Sequence, residues 1–210
     1  YAEIAPNAAH AQHMTTHIFL ALGDWDGVVR ANARATALLN GEREARGLAP
    51  VGCGHYPSWL MYGHLQRGEV EPAREIMMRC ADNVADGLRF RGVDYYAWQR
   101  ALYLFDTGAW GGAIADLDVP QGSDRSVFED TVVQGWIALG RGHPARAARR
   151  LEAARGLEAA LQAAWEAEGV PPSQPRRREP AVQLLQLEGR LAIARDDVDG
   201  GLARLREAVE

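Results

Sequence analysis

ALGDWDGVVRANARA, residues 21–35, sets the reading of the whole chain. An apolar helical stretch stops at Gly23, and a second, Ala- and Arg-rich helix starts just beyond it. Glycine suits the tight, often left-handed turn between two antiparallel helices. Asp24 is placed to cap the second helix by accepting its orphan N–H groups. The same break recurs as GEVEPAR from 68, GAWGGAI from 108, GHPARAA from 142 and DDVDGGL from 196. Four of the five begin with Gly, and Glu69 is expected to cap as Asp24 does. Five residues past each start stands a small or β-branched side chain: Val28, Ala73, Ala113, Ala147 or Gly201. Such residues let two helices pack closely.

The breaks are spaced by 45, 40, 34 and 54 residues. The third interval equals the tetratricopeptide period. The others need insertions, which lie at 40–54, at 82–93 and in EGVPPSQPRRREP (168–180), whose four prolines mark a loop. No stretch alternates like a strand. The expected fold is therefore all-α, a tetratricopeptide-like array of about five antiparallel helix hairpins in one domain spanning 1–210. The hairpins are placed at about 7–39, 55–85, 93–117, 126–167 and 180–209. First helices run about 7–22, 55–67, 93–107, 126–140 and 180–195; second helices run about 25–39, 71–85, 110–117, 144–167 and 198–209. Stacked neighbours would bury what one hairpin cannot. A plain up-down bundle is the alternative, because helix periodicity alone does not separate the two.

Composition narrows the classes. A net charge of −5 argues against general nucleic-acid binding, which needs a basic field. All 23 basic side chains are Arg, a genome bias as much as chemistry. No apolar run approaches a membrane span. Cys53 and Cys80 form no CxxC pair and suggest no disulfide framework, so the expectation is a reduced compartment and a cytoplasmic location. Cys53 reads as a loop cysteine without a role. The chain starts at Tyr1 without a Met, which suggests the C-terminal part of a longer protein.

The chain resembles tetratricopeptide-repeat proteins along nearly its whole length, best at 21–35 and at LGRGHPARAARRLEAA, 139–154. A narrower resemblance covers the first 70 or so residues. YAEIAPNAAHAQHMTTHIFLALGDWD is similar to the opening of a group of uncharacterised bacterial tetratricopeptide proteins. Their pattern runs YA-x-IAP, HA-x-HMPSHIF and LG-x-W, then H-x-x-DYL-x-YAYLQ-x-G, which is HYPSWLMYGHLQRG (55–68) here. The match rests on His10, His13, Met14, His17, Ile18, Phe19, Trp25, His55, Tyr62, Leu65 and Gln66. Thr15 and Thr16 stand where the group has Pro-Ser, and Ser58 where it has Asp. The resemblance implies an architecture and no particular activity.

Three of the six histidines, His10, His13 and His17, fall within eight residues. Helical steps of three and four return them to one stripe. In the repeats this chain resembles, positions 2, 5, 9 and 12 of the first helix line a concave groove. Counting back from Gly23 as position 15 puts His10, His13 and His17 there; counting from Gly68 puts His55, Ser58 and Tyr62 there. Three readings stay open. Imidazoles from neighbouring helices could hold a divalent transition metal, Zn, Fe, Cu or Ni. They could instead donate N–H groups to a carboxylate or peptide, or be structural. Against the metal stand Ser58, where the carboxylate is lost, and the absence of a Glu between His13 and His17, which removes the HExxH device.

The same count adds Tyr95, Trp98 and Phe105 to the groove, then Glu129, Val132 and Trp136, then Gln183, Gln186 and Arg190. Trp25 and Trp110 are assigned to inter-helix packing, His64 to a satisfied core position, His143 to a solvated turn and PRRREP (175–180) to a solvated loop. No nucleophile elbow, phosphate loop or dinucleotide fingerprint appears. The leading expectation is an interaction or ligand-binding module rather than an enzyme, taking a peptide, a protein or a small ligand in its groove. The rival is a metal-dependent protein, an enzyme among the options, built on His10, His13, His17 and His55.

Overall fold

The computed structural model describes residues 3–87 and 91–210. Every regular element among them is helical, and no strand occurs there. The chain forms two compact units, Tyr1–Ala109 and Trp110–Glu210.

Unit 1 holds α1 (Ala9–Met14), α2 (Thr16–Leu22), α3 (Trp25–Glu44), α4 (His55–Gln66), α5 (Val70–Ala85) and α6 (Arg91–Thr107). Its first break behaves as the sequence dictates. Gly23 is left-handed at φ 68°, and the Asp24 carboxylate accepts the Gly27 N–H at 2.8 Å. The second break differs. Glu69 makes no cap; its carboxylate takes the His64 ring at 2.6 Å and Arg67 at 2.8 Å. The contacts give the helix directions. Val28 and Val29 face Gly63, while Val51 bonds Asn40, so α3 and α4 run antiparallel. His13 meets His55 and His17 meets Trp59, so α1–α2 run parallel to α4 with an offset of 42 residues. His55 meets Tyr95 and Gln66 meets Asp106, so α4 runs parallel to α6 with an offset of 40.

Two expected elements change in unit 1. The first helix divides at Thr15, whose hydroxyl takes the Gln12 carbonyl at 2.7 Å. Such local bonding by a β-branched hydroxyl competes with the helical ladder. The 40–54 insertion is partly helix, because α3 continues to Glu44. Of the 82–93 insertion, residues 88–90 lie outside the described residues.

Unit 2 holds a 3-10 turn (Ala113–Asp116), α7 (Asp124–Gly140), α8 (Pro144–Ala167), α9 (Pro175–Ile193) and α10 (Val198–Glu207). Its core is aliphatic with two large rings: Phe128, Leu151, Leu161, Trp165, Leu184 and Leu187 among others. Arg125 pairs with Glu179 and Gly135 faces Leu187, so α7 and α9 run parallel. The expected helix at 110–117 shrinks to the 3-10 turn, leaving Ala113 exposed. Gly111, Gly112 and Pro120 explain this: two glycines raise the entropy cost of a helix and the proline forbids its continuation. At the one break that does not begin with Gly, Asp196 itself is left-handed at φ 67°. Asp and Asn tolerate that conformation better than most side chains. The expected basic loop PRRREP is the start of α9 instead. Pro175 sits in its first turn, Pro180 is fully buried within it, and Arg177 bonds Gln162 and the Val170 carbonyl. No helix among the described residues is long and apolar enough to cross a membrane.

Candidate functional site

His13 is the centre of unit 1's polar interior, with 0% of its surface exposed. Its Nδ1 lies 2.8 Å from Asn32 Oδ1. The Asn32 amide nitrogen donates to Thr16 Oγ1 and to the Val28 carbonyl, both at 2.9 Å. A backbone carbonyl only accepts, so the amide orientation is set and Oδ1 is left as the acceptor. His13 therefore carries its proton on Nδ1 and presents the Nε2 lone pair. That nitrogen lies 2.9 Å from His55 Nε2, which donates to it. Burial depresses the His13 pKa most. The Asn32 hydrogen bond opposes the shift, and His55, His17 and His10 add to it. Burial also depresses His55, with His17 and His10 contributing. Both rings are neutral at neutral pH.

His55 is exposed, and its place is set by the segment before it. The Val51 N–H donates to Asn40 Oδ1 and the Gly52 N–H to Asn83 Oδ1; Gln99 Nε2 donates to the Gly52 carbonyl. Cys53 and Cys80 then join in a disulfide, with their Cα atoms 4.5 Å apart. This corrects the expectation of two unpaired thiols and of a role-less Cys53. The segment entering α4 lies against α5 and so brings residues 27 apart together, which spacing in the sequence does not reveal. It also removes the ground on which a reduced compartment was expected, since disulfides persist mainly in oxidising surroundings.

Around the His13–His55 pair the rings form one connected set. The His17 ring centroid lies 5.2 Å from that of His13, and His10 lies at 6.3 Å. Trp59 touches His17 at 6.0 Å, Tyr62 at 6.0 Å and Trp98 at 6.4 Å, and Tyr95 continues from Trp98 at 6.3 Å. Trp25 stands edge-on to Tyr62 at 5.6 Å. Trp59, Tyr62, Tyr95 and Trp98 are half-buried, so the set faces solvent along one side rather than filling a core. The Trp59 indole nitrogen is buried and meets no acceptor among the described residues.

The structure thus brings together His10, His13, His17, His55, Tyr62, Tyr95 and Trp98. Ser58 departs from the groove count: it is fully buried and its hydroxyl donates to the Gly54 carbonyl. Trp59 takes the place expected of it, four residues after His55. Helical spacing alone could have found Trp59. Asn32 carried a signal too, as a lone amide on the buried Val28–Ala31–Ala35 face. In unit 2, Glu129 pairs with Arg125 at 2.7 Å, Trp136 stacks on Trp110 at 6.2 Å beside the core, and Arg190 is exposed. Among the described residues no group of three or more His, Cys, Asp or Glu side chains is placed to hold a metal ion. Comparison with protein-family models, with curated proteins and with solved structures finds no match.

Proposed function

We propose that this chain is a recognition module of the tetratricopeptide kind, and that the ring-lined face of unit 1 takes a peptide segment of a protein partner. The repeat reading is supported by the parallel first helices, whose offsets of 42 and 40 match a hairpin period with insertions. One observation carries the binding reading. Half-buried Tyr and Trp rings lie in a continuous row, with an indole N–H beneath them that lacks an acceptor. Aromatic rings give large contact area at low entropy cost, which suits a docked peptide segment. His10 and His17 at the exposed end add polar anchors. Arg190, Glu129 and Trp136 in unit 2 are left out of this face, because Glu129 and Trp136 are engaged locally.

Panning a displayed peptide library against the 210-residue chain tests the reading. Trp98→Ala should weaken a selected peptide by about tenfold or more while helicity by circular dichroism stays unchanged. Arg190→Ala should bind as the parent does. Equal affinity in Trp98→Ala, or a larger loss in Arg190→Ala, would refute the assignment.

A further inference from the structure

We infer that His13 and His55 are the fixed half of a divalent transition-metal site, with Zn2+ or Ni2+ as the fitting ions and His17 as the third ligand. The inference goes beyond peptide recognition and does not rest on it.

The argument begins with the tautomer. A histidine that ligates through Nε2 needs its proton on Nδ1, and such ligands almost always donate that proton to a fixed acceptor. Asn32 imposes this state on His13, because both its amide hydrogens are committed to Thr16 and Val28. Asn32 is itself completely buried, so the acceptor that sets this tautomer is held in place. The second point is convergence. Two imidazole nitrogens bound to one tetrahedral ion at Zn–N of about 2.0–2.1 Å stand about 3.3 Å apart. His13 Nε2 and His55 Nε2 stand 2.9 Å apart, pointing at one another from two helices. An opening of about 0.4 Å admits the ion between them. His55 is exposed, so its single proton moves from Nε2 to Nδ1 through water. Both lone pairs then face the metal with no net proton released.

The third point is the supply of further donors. His17 is exposed, four residues after His13, with its ring centroid 5.2 Å from that of His13. The three rings do not form a metal-holding group as they stand among the described residues, so the site requires this surface ring to turn toward the pair; water then completes the tetrahedron. His10, at 6.3 Å, is farther away and plays no part. Neutral imidazole suits Zn, Ni and Cu, and the Cys53 thiol is held in its disulfide. The pinned 50–54 segment keeps His55 in place, as a ligand position demands.

Tag-free protein titrated with ZnCl2 alone by calorimetry at neutral pH tests the inference. One equivalent should bind. His55→Ala, a change at an exposed position, should abolish the event, and His17→Ala should weaken it about tenfold or more. His10→Ala and Trp98→Ala should leave it intact, and the latter separates metal binding from peptide binding. In the unsubstituted protein, zinc should shift the ring 15N resonances of His13 and His55 together, a readout independent of any variant's folding. Three outcomes would overturn the site: no uptake by the parent chain, unchanged uptake in His55→Ala, or ring shifts confined to His10 and His17.

Discussion

The two units bury different chemistry. Among the described residues, unit 2 buries Ser126 and Thr131 as its only polar side chains. Each hydroxyl bonds a carbonyl of its own helix or cap. Its buried interior otherwise is apolar: Leu, Ala, Val, Ile, Phe128, Trp165 and Pro180 besides glycine. Unit 1 buries His13, Thr16, Asn32, Ser58, Gln99 and Arg100. A buried polar group stabilises only when paired, and then modestly, so an apolar replacement of similar shape would often serve as well. Unit 1 has the composition of a scaffold that holds particular atoms in particular places. Unit 2 has that of a support.

The contrast can be broken from either side. The largest effect is expected in unit 2. Leu187 is fully buried against Gly135, and Leu187→Ala should cost about 2–5 kcal/mol in denaturant unfolding. A loss below about 1 kcal/mol would mean that the aliphatic core is loosely packed. In unit 1, reduction of Cys53–Cys80 should cost about 3–4 kcal/mol from loop entropy across 27 residues. Hydrogen exchange should then quicken around residues 50–56 before anything changes in α7–α9. Uniform loosening of both units would contradict the pinning role given to that segment.

A smaller effect is expected from pH. Burial lowers the folded-state pKa of His13 and His55 below 6.5, the ordinary value approached on unfolding. The unfolded chain therefore binds more protons, and stability rises with pH. The contribution is complete above about 6.5 and is lost as pH falls through that value toward the depressed folded pKa. Protection in α1–α4, measured relative to the intrinsic amide rate at each pH, should fall between neutral pH and about pH 5. Unit 2, whose one histidine is the exposed His143, should change less. Equal acid sensitivity in the two units would remove the His13–His55 pair as the cause.

The helices and their breaks were legible because amphipathic stretches, Gly23, Gly68 and Gly142, and the Asp24 cap act locally. Elements failed where the outcome depended on something local reasoning could not weigh. The expected helix over 110–117 includes the glycine pair at 111–112, and so short a segment with two glycines does not sustain one. Residues 175–180 are expected as a loop ending at the helix start, whereas α9 begins at Pro175 and carries Pro180 inside. The histidine stripe was legible as a stripe, and the site around it was not. Its central contacts, His13 with Asn32 and with His55, join residues 19 and 42 apart. The disulfide was missed for the same reason. Trp59 was missed by counting in a repeat's positions instead of along this helix, where His55, Trp59 and Tyr62 share one face.

The six tryptophans supply the most direct test, since each unit contains three: Trp25, Trp59 and Trp98 in one, Trp110, Trp136 and Trp165 in the other. Their indole N–H signals in a 1H–15N correlation spectrum report on both units at once. A bound peptide should move the signals of Trp59 and Trp98 through ring contact and should leave Trp110, Trp136 and Trp165 where they were. Movement confined to the unit 2 indoles, with Trp59 and Trp98 unchanged, would contradict the placement of the recognition face in unit 1.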